Sequence, residues 1–359
     1  MALIVDAHED IAWNMMCYGR DYTQSVKVTR DREADGPVVA ETGIATLGLP
    51  EWLEGGVAVI FGTLFVEPKR SPFASPFSQN YVTADEAFTQ AMRQIDIYRR
   101  LADDNSPIRL INTRSDLDTV LAAWDPAADA AKRQIGIVLL MENADPIRKP
   151  DEVERWHKEG LRLIGPAWMA SRYCGGTGEP GPLTDDGIRL LRHMQDLNMI
   201  LDTSHMAEQS FFQAIERYDG PVIASHSNPR HYVNIDRNLS DDMIHALIQH
   251  DGVIGIVPFN SFLIPDWSRR RGDRKDVADV STIVRAIDYV CQRAGNAQHV
   301  GLGTDLDGGF GAESTPAGID TVADLPKVSE GLQQAGYTPA DIEAVMGGNW
   351  LRVLRQSLS

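Results

Sequence analysis

The sequence predicts a (β/α)8 barrel of the TIM type, and three observations predict it. Short runs of β-branched and aliphatic residues recur eight times along the 359 residues, most of them lack polar alternation, and the stretches between them are long enough for helices. A strand that is apolar on both faces belongs to a parallel sheet covered on both sides, and parallel neighbours need a crossover segment between them. Eight such units close into a barrel with the helices outside.

The runs are "LIVDA" at 3–7, "VAVIFGTLF" at 57–65, "GIVLLM" at 136–141, "LRLIG" at 161–165, "MILDTS" at 199–204, "PVIAS" at 221–225, "GVIGIV" at 252–257 and "HVGLGT" at 299–304. Residues 11–55 make a long excursion after the first strand, too long for a simple connection, and are expected to form a loop or small subdomain over the barrel mouth. "SPFASPFSQN" at 71–80 has the composition of a surface loop. The stretch "TADEAFTQAMRQIDIYRRLADD" at 83–104 opens on an N-cap threonine and an acidic first turn, as does "LTDDGIRLLRHMQDLN" at 183–198, so both are read as helices. A ninth apolar run, "PIRLIN" at 107–112, is assigned to an excursion outside the barrel. No internal repeat, linker or low-complexity segment divides the chain, which is expected to be one domain over residues 1–359.

Composition narrows the function classes. At 43% hydrophobic and 24% charged residues the chain is an ordinary globular protein with length for a large core. A net charge of −17, spread without a polyacidic tail, repels nucleic acid and anionic membrane and favours a small-molecule partner. No run of about 18 apolar residues occurs, and Asp6, Glu9 and Asp10 interrupt the start, so the expected location is the cytoplasm. Cys17, Cys174 and Cys291 are scattered without CxxC spacing, which argues against a disulfide framework or a thiolate metal site.

Polar residues interrupt the apolar runs at their C-terminal ends, where barrel enzymes keep their chemistry. His8 and Asp10 follow the first strand, Glu142 the third, His205 the fifth, His226 the sixth and Asp305 the eighth. Any one of them alone is compatible with a structural role; the coincidence of six equivalent positions is the signal. His157, His193, His245 and His250 lie in helical, amphipathic surroundings and are read as surface or packing residues, and His231 and His299 as structural. Imidazole with carboxylate and no thiolate suits zinc, and also manganese, cobalt or iron. Six groups exceed the three protein ligands of one catalytic zinc, whereas two metals sharing a carboxylate bridge would use them all. His8 and Asp10, two apart on an extended chain, point the same way; Glu9 faces away, and Asp6 shares their parity but lies deeper.

These residues resemble the membrane (renal) dipeptidase family of zinc peptidases, within the amidohydrolase superfamily. The matching pieces are "VDAHED", "GGVAVIFGTLFV", "LLMEN", "LDTSHM", "IASHSN", "DRNLSDDM", "VGLGTDLDGG" and "VMGGNWLRVLR", in order from residue 5 to 355. The resemblance implies two Zn2+ per chain, one held by His8, Asp10 and Glu142 and the other by Glu142, His205 and His226, with Glu142 and a water or hydroxide as bridges. It implies Asp305 as the catalytic acid/base and Arg237, in "DRNL", as the residue that binds the substrate's carboxylate. Arg230 and Asp307 are rivals for these two roles by proximity, and the motif positions decide against them. The family's oligomeric state implies a homodimer.

The implied reaction is hydrolysis of a dipeptide amide by a metal-bridging hydroxide, with Asp305 taking the proton and delivering it to the leaving amine. One departure stands out. The family has a histidine after its fourth strand that contacts the substrate, and here Trp168, in "IGPAWMAS", falls at that place. Tryptophan donates one hydrogen bond and cannot relay a proton. It therefore favours an alternative substrate, such as an N-acyl amino acid or a lactam. A further alternative is a barrel that binds without catalysing. Asp6 is expected to orient a metal ligand.

Overall fold

The computed structural model describes residues 3–105 and 107–359. Eight parallel strands form the barrel: β1 (Ile4–Glu9), β2 (Val57–Phe65), β3 (Ile135–Glu142), β4 (Leu161–Gly165), β5 (Ile200–Asp202), β6 (Val222–Ala224), β7 (Val253–Ile256) and β8 (Val300–Leu302). Each pairs with the next, and the ring closes where Asp6 of β1 lies opposite Leu302 of β8. The predicted runs are these strands: those at 57–65 and 161–165 have the same bounds, and the ends of the other six are shifted by one or two residues. The ninth run is a short strand, Ile108–Leu110, that pairs with the start of β3 outside the ring.

Every barrel strand is buried almost throughout because both faces are covered. Val5, Ala7, Val59, Phe61, Val138 and Leu140 form an inner core with Trp350, while Ile4, Ile60, Leu64 and Ile137 pack into the layer toward the helices. Trp350 plugs this core, donating its indole N–H to the Leu302 carbonyl at 3.0 Å. A Cβ at Gly301 would come within 2.3 Å of that indole nitrogen, so the strand must carry glycine there.

The excursion folds as four short helices: α1 (Ile11–Tyr18), α2 (Val26–Glu33), α3 (Val38–Thr42) and α4 (Leu49–Gly55). Asn14 of α1 ties the catalytic ends of β1 and β8 together, donating to the Asp10 and Asp307 carbonyls at 2.8 and 3.0 Å. The helix α5 (Ala84–Asp104) starts with a capping box between Thr83 and Glu86, and that of Asp185–Asp196 is capped by Thr184, as the sequence predicts. Gln94 of α5 bonds both the N–H and the carbonyl of Phe65, and Tyr98 donates to the Thr63 carbonyl at 2.9 Å. This helix thereby fixes the mouth end of β2. Among the described residues no helix is long and apolar enough to cross a membrane.

Candidate active site

Five side chains from four strand ends meet at the centre of the C-terminal face. His8 and Asp10 come from β1, Glu142 ends β3, and His205 and His226 follow β5 and β6; all five are at most 9% exposed. Glu142 sits between the others. Its Oε2 lies 3.4 Å from His8 Nε2, and its Oε1 lies 2.9 Å from His205 Nε2 and 3.4 Å from His226 Nε2. Asp10 Oδ1 and Asp305 Oδ1 are each 3.9 Å from His8 Nε2. Residue 143 turns the chain away sharply after Glu142: Asn143 has φ 73°, a left-handed conformation that asparagine tolerates.

The imidazoles are aimed by groups behind them. Asp202 Oδ2 accepts from the Ser225 hydroxyl at 2.6 Å, and Ser225 Oγ lies 2.7 Å from His226 Nδ1, so that nitrogen donates and Nε2 faces the cluster with its lone pair. The same hydroxyl is 3.4 Å from His8 Nδ1, and the His8 and His226 rings stack at 3.5 Å. Thr177 Oγ1 holds His205 Nδ1 at 3.0 Å, and Thr63 donates to Asp10. The carboxylate of Asp202 lies within reach of a cation shared with His8 and His226. Its oxygens, however, already accept from Ser204 and Ser225, so it acts as support rather than as a ligand.

Burial lowers His205 to about 4, reinforced by Arg237, and drives His226 well below the usual imidazole range. Both are neutral. Burial would also lower His8, but the Glu142, Asp10 and Asp305 charges outweigh it and hold His8 up at about 10. Burial and the charge of Glu142 raise Asp10 to about 6. Asp305 is pushed well above the carboxylate range by burial, with His8 and Arg237 opposing and Asp10 and Glu142 reinforcing.

The donor set fits metal ions. His8 Nε2 is buried without a hydrogen-bond partner among the described residues, and the Nε2 atoms of His205 and His226 stand only 3.0 Å apart. Crowded nitrogen lone pairs facing carboxylates are the arrangement a borderline-soft divalent cation stabilises.

The remaining sequence-predicted residues divide clearly. The chain turns after β8 with φ 55° at Asp305 and 63° at Asp307, so the two side chains diverge. Asp305 faces the cluster; Asp307 faces the excursion, where it pairs with Arg20 at 2.9 Å and accepts from Tyr22 and Thr46. Arg237 is buried and donates to the Ser204 and His226 carbonyls at 3.0 and 2.7 Å and to Ser227 Oγ at 3.1 Å. No carboxylate of the described residues forms an ion pair with it. Its rival Arg230 is spent on Glu208 at 2.8 Å. Trp168 lies at the mouth, its ring 6.3 Å from that of His205. Asp6 touches no ligand side chain: its carboxylate accepts from the Thr304 amide at 2.7 Å, the Thr304 hydroxyl and the His8 amide. Glu9 turns away from the cluster, but into the protein, where Trp52 donates to it at 3.2 Å.

Asp202, Ser225, Thr63 and Thr177 were not singled out from the sequence. The available signal was weak: a polar residue inside an apolar run, as in "MILDTS" and "PVIAS", one to three places before a histidine.

A (β/α)8 barrel with imidazoles and carboxylates converging at its C-terminal face defines the chain as an amidohydrolase-type barrel. The model of the membrane dipeptidase family (peptidase family M19) matches residues 1–358, and the chain belongs to that family. It is 26% identical over 99% of its length, and 80% of the relative's, to an uncharacterised dipeptidase of Schizosaccharomyces pombe. It is 35% identical over 57% of its length to an uncharacterised protein of Klebsiella pneumoniae encoded 5′ of pqqA, covering 75% of that chain. Among solved structures, a metallopeptidase of Rhodobacter sphaeroides liganded with a phosphinate mimic of L-Ala-D-Ala shares the fold, with a TM-score of 0.78 and 22% identity over 99% of both chains.

Proposed function

We propose that the protein is a dipeptidase that works with two zinc ions, and the observation that carries this is the division of Glu142. One of its oxygens faces His8 and the other faces His205 and His226. His8, Asp10 and Glu142 would hold one ion, and Glu142, His205 and His226 the other. When bound, such a pair acidifies a water and polarises the scissile carbonyl.

The chain supplies the rest. Arg237, fixed by two carbonyls and lacking a protein counter-charge, takes the carboxylate of the leaving residue and sets the register of the amide over the cluster. Asp305 Oδ1 stands 3.9 Å from His8 Nε2, and no side chain among the described residues donates a hydrogen bond to its carboxyl. It accepts the proton of the attacking water and returns it to the departing amine. The Ser225 and Asp202 pair keeps His226 in the tautomer that presents Nε2.

Trp168 favours a second reading, an amidase of N-acyl amino acids or lactams, because it offers no group to relay a proton. A panel of L,L- and L,D-dipeptides, N-acyl amino acids and lactams, assayed with zinc-loaded and chelator-stripped protein, tests both. Dipeptide hydrolysis that zinc restores is the expected result. Zinc-dependent cleavage confined to N-acyl substrates or lactams would select the second reading, and no cleavage with zinc bound would refute both.

A further inference from the structure

We infer that the acyl half of the substrate lies against a wall of four aromatic rings, and that the protein favours amides whose acyl residue carries an aromatic or large apolar side chain. This rests on the peptidase reading of the site. The wall runs from Trp13, three residues past Asp10, through Phe65, which pairs with Glu142 in the strand register, to Trp168 and Phe73. Trp13 and Phe65 meet at 4.9 Å and 77°, Phe65 and Trp168 at 5.0 Å and 72°, and Phe73 and Trp168 at 6.1 Å and 65°. Each contact is edge-to-face, the geometry in which aromatic rings attract beyond the area they bury.

The outer end of the wall is open. Phe73 is 65% exposed, yet its loop is anchored by Ser71 on Glu67 at 2.7 Å and by Arg70 on Glu179 at 2.9 Å. A large exposed aromatic held against a half-buried tryptophan presents apolar surface that water solvates poorly. The carboxylates along the wall are already occupied: Glu67 by Ser71 and Asn80, Asp145 by Tyr81 and Glu179 by Arg70. The wall therefore offers rings rather than charge.

Position decides which half of the substrate it meets. Trp13 and Trp168 follow β1 and β4 and Phe65 ends β2, whereas Arg237 follows β6 and sits on the Ser204 and His226 carbonyls. With the leaving residue's carboxylate on Arg237 and the amide over Glu142, the acyl half falls on the aromatic side. Where the resemblance places a histidine, Trp168 exchanges a hydrogen-bonding group for apolar area.

The test uses the full chain loaded with zinc and two matched dipeptide series, X-Gly and Gly-X, with X as Gly, Ala, Leu or Phe. We expect kcat/KM to rise about tenfold or more from Ala-Gly to Phe-Gly, with a smaller spread in the Gly-X series. Trp168→Ala and Phe73→Ala should each lower the Phe-Gly to Ala-Gly ratio about threefold or more, through KM. Phe73 is exposed, so its truncation keeps the test open should the Trp168 variant fail to fold. A flat X-Gly series, a preference that follows the leaving residue, or variants that depress both substrates equally would overturn the proposal. Absence of hydrolysis in both series would instead overturn the peptidase reading beneath it.

Discussion

Two clusters of buried charge meet at the turn after β8, and they are built on opposite rules. Around Asp307 opposite charges are paired: Arg20 reaches Asp307 at 2.9 Å and holds both oxygens of Glu33 at 3.1 Å, and Tyr22 and Thr46 donate to the Asp307 carboxylate as well. Around Asp305, two residues earlier, three carboxylates face imidazoles of which two are shifted toward the neutral form by burial, and a buried nitrogen of the third has no hydrogen-bond partner among the described residues. A buried charge that is fully paired serves as scaffold, because removing either partner strands the other. Carboxylates crowded against three imidazoles, with no Lys or Arg among the described residues paired to them, make a place for cations.

Substitutions break this comparison in order of expected effect. Glu142→Gln removes the only group shared by both halves of the cluster, so hydrolysis should fall at least about a thousandfold and bound metal should drop, while circular dichroism shows an intact barrel. Asp305→Asn keeps the shape and loses the proton acceptor; kcat should fall about 10²- to 10⁴-fold with metal content unchanged. On the scaffold side the pattern reverses. Arg20→Met leaves Asp307 and Glu33 buried without their cation and should cost about 3–5 kcal/mol in denaturant unfolding, while the metal bound per folded chain stays the same. Ser225→Ala frees His226 to rotate and should weaken metal binding about 10- to 100-fold, with Ser225→Thr recovering part of it.

The smallest effect is a proton count. His8, held up at about 10 by neighbouring carboxylates, keeps its proton at pH 8 in the metal-free protein. Because the folded value is above the unfolded one, this pairing stabilises the metal-free fold fully below about pH 6.5 and ceases to do so as pH rises through 10. Metal uptake at pH 8 should therefore release about one proton, read by calorimetry in buffers of differing ionisation enthalpy.

Much of this was legible in the sequence because barrels couple position to chemistry. The strand-end rule picks out His8, Asp10, Glu142, His205, His226 and Asp305 without any knowledge of distance, and the structure brings those six together. Proximity left Asp307 a rival of Asp305, and the left-handed turn at residues 305 and 307 separates them by sending the two side chains apart. Parity also left Glu9 without a place: it turns from the cluster as expected, but a bulky Trp52 from α4 buries it. Asp6 accepts from the Thr304 amide and hydroxyl and from the His8 amide, so its contact with a candidate ligand is to the backbone. Thr177 acts on His205 across 28 positions of sequence, and the Arg20 to Asp307 pair spans 287. Such contacts depend on the closure of the ring, and local pattern holds no trace of them.

The central claim is that one glutamate serves two ions. Calorimetric titration of zinc into chelator-stripped protein measures it directly, with Glu142→Gln alongside. Two equivalents bound by the parent chain, with the variant losing tight binding at both, is the predicted result. A parent chain that takes one equivalent or none, or a variant that still takes two, would contradict it.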